Sequence, residues 1–312
     1  MNEKCLILGG AGFIGSHLAD ELLSCGYQVT IFDKINSFKG NINHLLKHVK
    51  FIEGDFNNDI DVRNAVKSTD YVYHLVSTTL PQSSNLNPAY DVESNVLGSI
   101  KLLEECVSQS VKKIVFLSSG GTVYGVPKTI PITEDHACNP LCSYGITKIA
   151  IEKYLNLFYY LYNLDYSVIR LSNPYGERQN PNVPQGVISV FLKKVLLGEK
   201  IDIWGDGSVI RDYIYISDVS SALINVIKKS SVNKTFNVSS GAGYSLKEII
   251  TSIENVTGMN ALVNYTNANR KFDVPVNILE NTLFKNEFGW SQVIPLEEGI
   301  GRTWNWIKNQ KF

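Results

Sequence analysis

The stretch Ser143-Tyr-Gly-Ile-Thr-Lys148 places a phenol four residues ahead of an ammonium group. On a helix, residues four apart share one face and stand one turn from each other. A tyrosine ionises near pH 10 and a lysine near pH 10.4, so neither alone is a base at neutral pH. Positive charge beside a phenol favours its phenolate, which would let the pair move protons. The plain alternative is a tyrosine and a lysine on an ordinary helix face. The pair by itself does not choose.

A second constellation does more. GGAGFIG (9–15) fits G-x-G-x-x-G from Gly10 and a looser G-x-x-G-x-x-G through Gly9, Gly12 and Gly15. It follows a strand-like run and opens a helix-like one, where glycines let backbone approach a pyrophosphate and free N–H groups bind its charge. Asp33 closes the next strand-like run, 18 residues past Gly15. A carboxylate there accepts hydrogen bonds from an adenosine ribose and repels a 2′-phosphate, which selects NAD over NADP. Asp55 of EGDF stands where it could meet the adenine or be a solvated loop acid. These residues predict a nicotinamide dinucleotide site.

The elements that must position these groups alternate. CLIL (5–8), QVTIF (28–32), VKFI (49–52), DYVYHLV (70–76), KKIVFL (112–117) and YSVIRL (166–171) have the apolar character of buried parallel strands. Helix patterns at 13–25, about 91–109 and 144–163 lie between them. This order predicts an α/β fold with a Rossmann-type doubly wound parallel sheet. After residue 172 turn formers dominate (NPYGERQNPNVPQG), with helices expected at 186–198, 218–229 and 245–257. TFNV (235–238) should return to the first sheet. The expected division is a dinucleotide domain of 1–171 plus about 218–239, and a smaller C-terminal α/β substrate domain of about 172–217 and 240–312. The 144–163 helix is apolar or aromatic around most of its circumference, which predicts burial on more than one side and a homodimer.

Composition narrows the partners. The 312 residues carry a formal net charge of −1, with scattered basic residues, against nucleic acid or an anionic membrane as partner. No stretch approaches the length of a membrane span, and the start has no leader pattern, so a cytoplasmic protein is expected. Five cysteines suggest free thiols. Cys138 and Cys142 could be half a zinc site, but no second pair or His-x3-His follows, so no metal is expected.

GGAGFIG, Asp33, GDF, HLV, SSGGTVYG, SYGITK, NPYG and RDYI, in this order, resemble the extended short-chain dehydrogenases/reductases. More narrowly they resemble the NAD-dependent nucleotide-sugar epimerase/dehydratase branch, over nearly the whole chain. The resemblance makes Tyr144 the acid/base and has Lys148 hold the nicotinamide ribose. With the lysine and the nicotinamide ring as two close cations, bringing the phenol to about pH 7 requires roughly 4 kcal/mol. It implies cofactor contacts from Gly9, Gly12, Phe13, Ile14 and Gly15, from Asp33 and Lys34, and from Asp55 and Phe56. Further contacts fall on Leu75, Val76, Ser77, Thr79, Asn95, Ser118 and Leu171, with Thr79 standing where the family usually has a lysine.

The resemblance also marks departures. The family's Ser or Thr after the fifth strand, which bonds the reacting sugar oxygen, falls at Gly120; Thr122 is the first candidate for the missing hydroxyl and Ser119 the second. The Asp-Glu pair of the family's dehydratases falls at Gly121 and Thr122, which speaks against a 4,6-dehydratase. In the C-terminal part the family pattern maps onto Asn173, Arg211 and Arg270 for the diphosphate, Asp273 for the nucleoside ribose and Trp204 for the base. Asn277 falls at the size gate for the sugar's C2 substituent. The expected activity is 4-epimerisation of a nucleotide-diphosphate sugar, most simply a UDP-hexose, through a transient 4-keto sugar. The alternative is an NAD(P)H-dependent reductase of a nucleotide 4-keto-6-deoxy sugar. A non-catalytic NAD-sensing protein is a third reading, but such proteins commonly lose the Tyr-x-x-x-Lys pair that is intact here.

Overall fold

The computed structural model describes residues 3–183, 185–231, 234–266 and 274–312. Its centre is a seven-stranded parallel sheet: β1 (Lys4–Leu8), β2 (Gln28–Asp33), β3 (Lys50–Glu53), β4 (Tyr71–His74), β5 (Lys113–Ser119), β6 (Asp165–Leu171) and β10 (Thr235–Val238), in the order β10-β6-β5-β4-β1-β2-β3. Each strand is a short apolar run because helices cover both faces, and successive side chains feed opposite cores. Ile7, Ile31, Tyr73, Val115 and Ile169 pack on one face with Leu18, Leu22, Val219 and Leu223. Leu6, Val72, Ile114, Phe116 and Val168 pack on the other with Leu102, Cys106, Ile151 and Leu155.

The helices follow the expected order. They are α1 (Phe13–Ser24), α2 (Asp59–Val66), α3 (Pro88–Asp91), α4 (Gly98–Ser108) and α5 (Ser143–Tyr162). A π-helical stretch, Val92–Leu97, joins α3 to α4 in one continuous run. The order of strands reverses direction between β1 and β4, so the chain ends leaving those two strands diverge. A crevice opens there, at the carboxyl ends of the strands.

The remainder is built on shorter pieces: β7 (Asn173–Tyr175), α6 (Val187–Leu197), β8 (Lys200–Trp204), β9 (Ile210–Tyr215), α7 (Ile216–Lys228), β11 (Gly243–Ser245), α8 (Leu246–Thr257), β12 (Leu262–Thr266), β13 (Val276–Asn277), α9 (Thr282–Phe288) and α10 (Leu296–Ile307). Strand β9 takes β11 antiparallel and β7 and β13 parallel, while β8 pairs with β12. Between these, α7 packs on α1 and β10 pairs with β6, so the chain does cross back to the first sheet. The sequence reading assigned none of β7, β8, β9, β11, β12 or β13, nor helices α2, α9 and α10. All six of these strands run two to six residues, too short for a period to declare itself. None of the described helices is long and apolar enough to cross a membrane.

Candidate active site

The glycine turn after β1 is closed backbone on backbone. Gly9 sits at φ +82°, and a Cβ there would lie 3.4 Å from the carbonyl carbon of Leu75 and the nitrogen of Val76, at the end of β4. A Cβ on Gly15 would stand 2.5 Å from Gly9 O and 2.6 Å from Gly10 Cα, so no side chain fits. Gly12 precedes α1, whose first N–H groups, on Phe13 and Ile14, have no intrahelical acceptor. Asp33 reaches across this turn: Oδ2 accepts from Ala11 N at 2.9 Å and Oδ1 from Lys34 N at 2.9 Å. Burial pushes the Asp33 carboxyl up, and those two N–H groups oppose it. A cradle without side chains, orphan amides and a fixed carboxylate at its rim fit a dinucleotide. The Lys34 side chain is exposed. Asp55 is exposed and holds Asn57 N at 2.9 Å, whereas the Phe56 ring is buried against His74. Phe56 can therefore contribute only backbone.

Tyr144 and Lys148 lie on the first two turns of α5, one turn apart as the spacing predicts. Lys148 is 5% exposed. Its Nζ donates to Leu117 O at 2.9 Å and lies 4.7 Å from the Phe116 ring centre and 5.5 Å from that of Tyr144. Burial lowers its pKa to about 8, against the opposing charges of Glu152 and Asp91. The phenol behaves otherwise than the sequence suggested. Burial first, then Cys142 and Asp91, push Tyr144 up to about 12, and only a hydrogen bond with Ser77 opposes them. The ammonium is directed at Leu117 O, so the lysine alone does not draw the phenol down. Any lowering has to come from a positive charge that binds in the crevice.

Several side chains expected to face the cofactor face inward instead. Ser118 Oγ donates to Glu152 Oε1 at 2.6 Å, and Glu152 in turn holds Arg170 through a second oxygen at 2.7 Å. Thr79 is buried and donates to Asp91 Oδ1 at 2.5 Å; it does not replace the family lysine. Asn95 Nδ2 also donates to Asp91 Oδ1, at 2.9 Å, while its Oδ1 accepts from Thr78 N at 3.0 Å. Ser77 remains exposed near the phenol, and Leu75 and Val76 are half-buried beneath the glycine turn. Leu171 is buried at the end of β6.

Gly120 has a physical cause. A Cβ there would stand 2.3 Å from Leu279 Cδ1, so the place of the family hydroxyl is filled by a leucine from another part of the chain. Thr122 Oγ1 is shut off from solvent with no hydrogen-bond partner, whereas Ser119 is half-buried. As a hydroxyl for substrate, Thr122 would need the loop to shift and is the weaker of the two. Asn277 is 1% exposed and donates to Gly120 O at 3.1 Å, so it braces the loop from behind and is not an open gate.

The small sheet built on β9 gathers three of the C-terminal candidates, Asn173, Arg211 and Asn277, while Trp204 lies on the separate β8–β12 pair. Asn173 pairs in register with Tyr213, and Asn277 with Arg211, both across β9. Asn173 Nδ2 donates to Asp212 O at 2.9 Å, and Arg211 Nη1 donates to Ile210 O at 2.8 Å. Trp204, at the end of β8, is 45% exposed. Arg270 and Asp273 lie outside the described residues. A separate hollow of about 340 Å³, lined by His17, Glu177, Arg178, Tyr215 and Arg302 among others, includes no predicted site residue. Its two arginines already pair with Asp20 and Glu298.

Sequence reasoning missed Asp91, Ser84 and Asn85, which fasten the start of α5. Ser143 N donates to Asn85 Oδ1 at 2.9 Å and Tyr144 N to Ser84 Oγ at 3.0 Å. The one available signal was local, Asn87-Pro88 as a helix start.

A profile of the NAD dependent epimerase/dehydratase family matches residues 5–239. The UDP-glucose 4-epimerase of Thermotoga maritima, solved with UDP-glucose, is 35% identical, superposes with a TM-score of 0.92 and covers 98% of each chain. The UDP-glucose 4-epimerase of Mycolicibacterium smegmatis is 33% identical over 98% of this chain and 99% of its own. The dTDP-4-dehydro-6-deoxyglucose reductase of Escherichia coli is also 33% identical, over 95% of each. With a glycine turn that leaves no room for a side chain at Gly15, an Asp33 rim and Tyr144–Lys148 on one helix face, the chain belongs to the NAD dependent epimerase/dehydratase family, and NAD is its cofactor.

Proposed function

We propose that this protein is a UDP-sugar 4-epimerase. The observation that carries the proposal is Tyr144 on the face of α5 that also holds the buried Lys148, beside the dinucleotide cradle. When bound, NAD supplies the hydride acceptor and donor at sugar C4 and a cationic ring beside the phenol. Tyr144 takes the proton of the 4-hydroxyl and returns it after the keto sugar has turned. Lys148 orients the nicotinamide ribose. Asn173, Arg211 and Trp204 hold the diphosphate and base, and Ser119 is the hydroxyl best placed to steady the reacting oxygen. The substrate unit is 172–217 with 240–312, and the dinucleotide unit is the rest. Relatives that are UDP-glucose 4-epimerases over almost their full length support this reading.

Incubating the protein with UDP-glucose, UDP-N-acetylglucosamine or UDP-glucuronate, without added cofactor, tests it. A 4-epimer from at least one, lost by about 10³-fold in Tyr144→Phe, is expected; no 4-epimer from any would refute it. The second reading, reduction of a nucleotide 4-keto-6-deoxy sugar, is favoured by the 33% identical reductase relative. It predicts stoichiometric NAD(P)H consumption in place of catalytic turnover on resident NAD.

The protein acts as a homodimer in the cytoplasm on this proposal. Ile146, Leu157, Tyr160 and Leu161 of α5 are exposed, as is Leu97 just before α4, which packs against α5. Such a face suits a second copy. Its cysteines are free thiols, as a reducing compartment would keep them. Sedimentation of Leu157→Glu should show monomers where the parent shows dimers.

A further inference from the structure

We propose that Asp91 is a positioning residue that seats the Tyr144 phenol, an inference resting on the acid/base role just assigned to Tyr144. Asp91 has no exposed surface. On one oxygen it accepts from Thr79 Oγ1 at 2.5 Å and Asn95 Nδ2 at 2.9 Å; on the other, from Ser143 Oγ at 2.6 Å and Thr147 Oγ1 at 3.4 Å. Ser143 and Thr147 bracket Tyr144, and Thr147 Oγ1 also donates to Tyr144 O at 2.9 Å. One carboxylate therefore ties the turn that carries the phenol to the wall formed by Thr79 and Asn95.

The rest of the helix start depends on the same wall. Helix α5 has no capping side chain of its own, and the N–H groups of Ser143 and Tyr144 go to Asn85 and Ser84. Across the turn, a Cβ on Gly145 would lie 2.8 Å from Thr122 O and 2.7 Å from Pro140 Cβ, so the first turn is wedged on its other side. The π-helical stretch Val92–Leu97 starts at the next residue, and Asn95, four residues on, faces Asp91. A buried carboxylate is expensive unless donors surround it, and here the Thr79 and Ser143 hydroxyls and the Asn95 amide do, with the Thr147 hydroxyl shared between Asp91 and Tyr144 O. An apolar side chain would fill the space but leave Ser143, Thr147, Thr79 and Asn95 without their shared acceptor.

The test uses the full chain with Asp91→Asn and Asp91→Ala, amide hydrogen exchange, and steady-state kinetics on the nucleotide sugar the parent converts. Asparagine keeps the shape but must turn an NH2 toward donors. Exchange of residues 143–148 should accelerate by about tenfold or more in Asp91→Asn while β5 and β6 keep parental rates. Its kcat should fall by about tenfold or more with KM within about threefold, and Asp91→Ala should be worse. Parental exchange in the first turn of α5, or a parental kcat, overturns the proposal. Should Asp91→Ala not fold, Asp91→Asn decides. Should the parent convert no nucleotide sugar, the proposed activity fails, and the exchange rates, which need no substrate, still judge Asp91.

Discussion

Replacing Lys148 by methionine should make the protein more stable and catalytically dead. The ammonium is 5% exposed, and burial brings its pKa from 10.5 to about 8. Below pH 8 the folded protein must hold a proton on a buried amine, which costs about 3 kcal/mol relative to the unfolded chain. Losing the bond to Leu117 O and the contact with the Phe116 ring offsets about 1 kcal/mol of this. Lys148→Met should therefore be more stable than the parent by about 2 kcal/mol at pH 7. As pH rises through 8 toward 10.5 the folded amine sheds its proton and the penalty shrinks to about 1 kcal/mol at pH 10, so the two proteins should converge. Tyrosines that begin to ionise in that range are common to both and cancel. Urea unfolding at pH 7 and pH 10, on both proteins stripped of dinucleotide so that ligand linkage does not enter, measures the gap. A variant less stable than the parent at pH 7, or a gap that ignores pH, would show that the buried ammonium is not the strained group described here.

Three further outcomes are expected. Asp33→Ser should weaken NAD binding by about tenfold or more and erase much of its preference over NADP, read by titration calorimetry with both dinucleotides; an unchanged ratio would contradict the role of the rim carboxylate. Gly15→Ala should lose dinucleotide binding and about 1–3 kcal/mol of stability in a thermal melt, because the Cβ meets backbone that cannot give way. Gly120→Ser should destabilise by about 1–3 kcal/mol through Leu279, and the Gly120→Ser/Leu279→Ala double variant should lose less than the two singles summed, since the serine fills part of the cavity; additive urea midpoints would deny that contact.

The sequence by itself determined the frame of this protein and the identities of the reacting groups. A parallel strand buried on both faces is a short apolar run, a phosphate-binding turn admits only glycine, and four residues on a helix are one turn: each is local and shows in β1, Gly15 and the Tyr144–Lys148 pair. Tertiary structure decided where each polar side chain spends its hydrogen bonds and charge. Thr79, Asn95 and Ser118 stand in the right places along the chain, yet partners 12, 4 and 34 residues away turn them inward. Leu279 excludes a side chain at position 120 from 159 residues away, and Lys148 spends its proton on a carbonyl of β5, not on the phenol. Burial and pairing are sums over neighbours that only folding assembles, so nothing local to position 91 announces the donors that Thr79, Asn95 and Ser143 bring to its carboxylate.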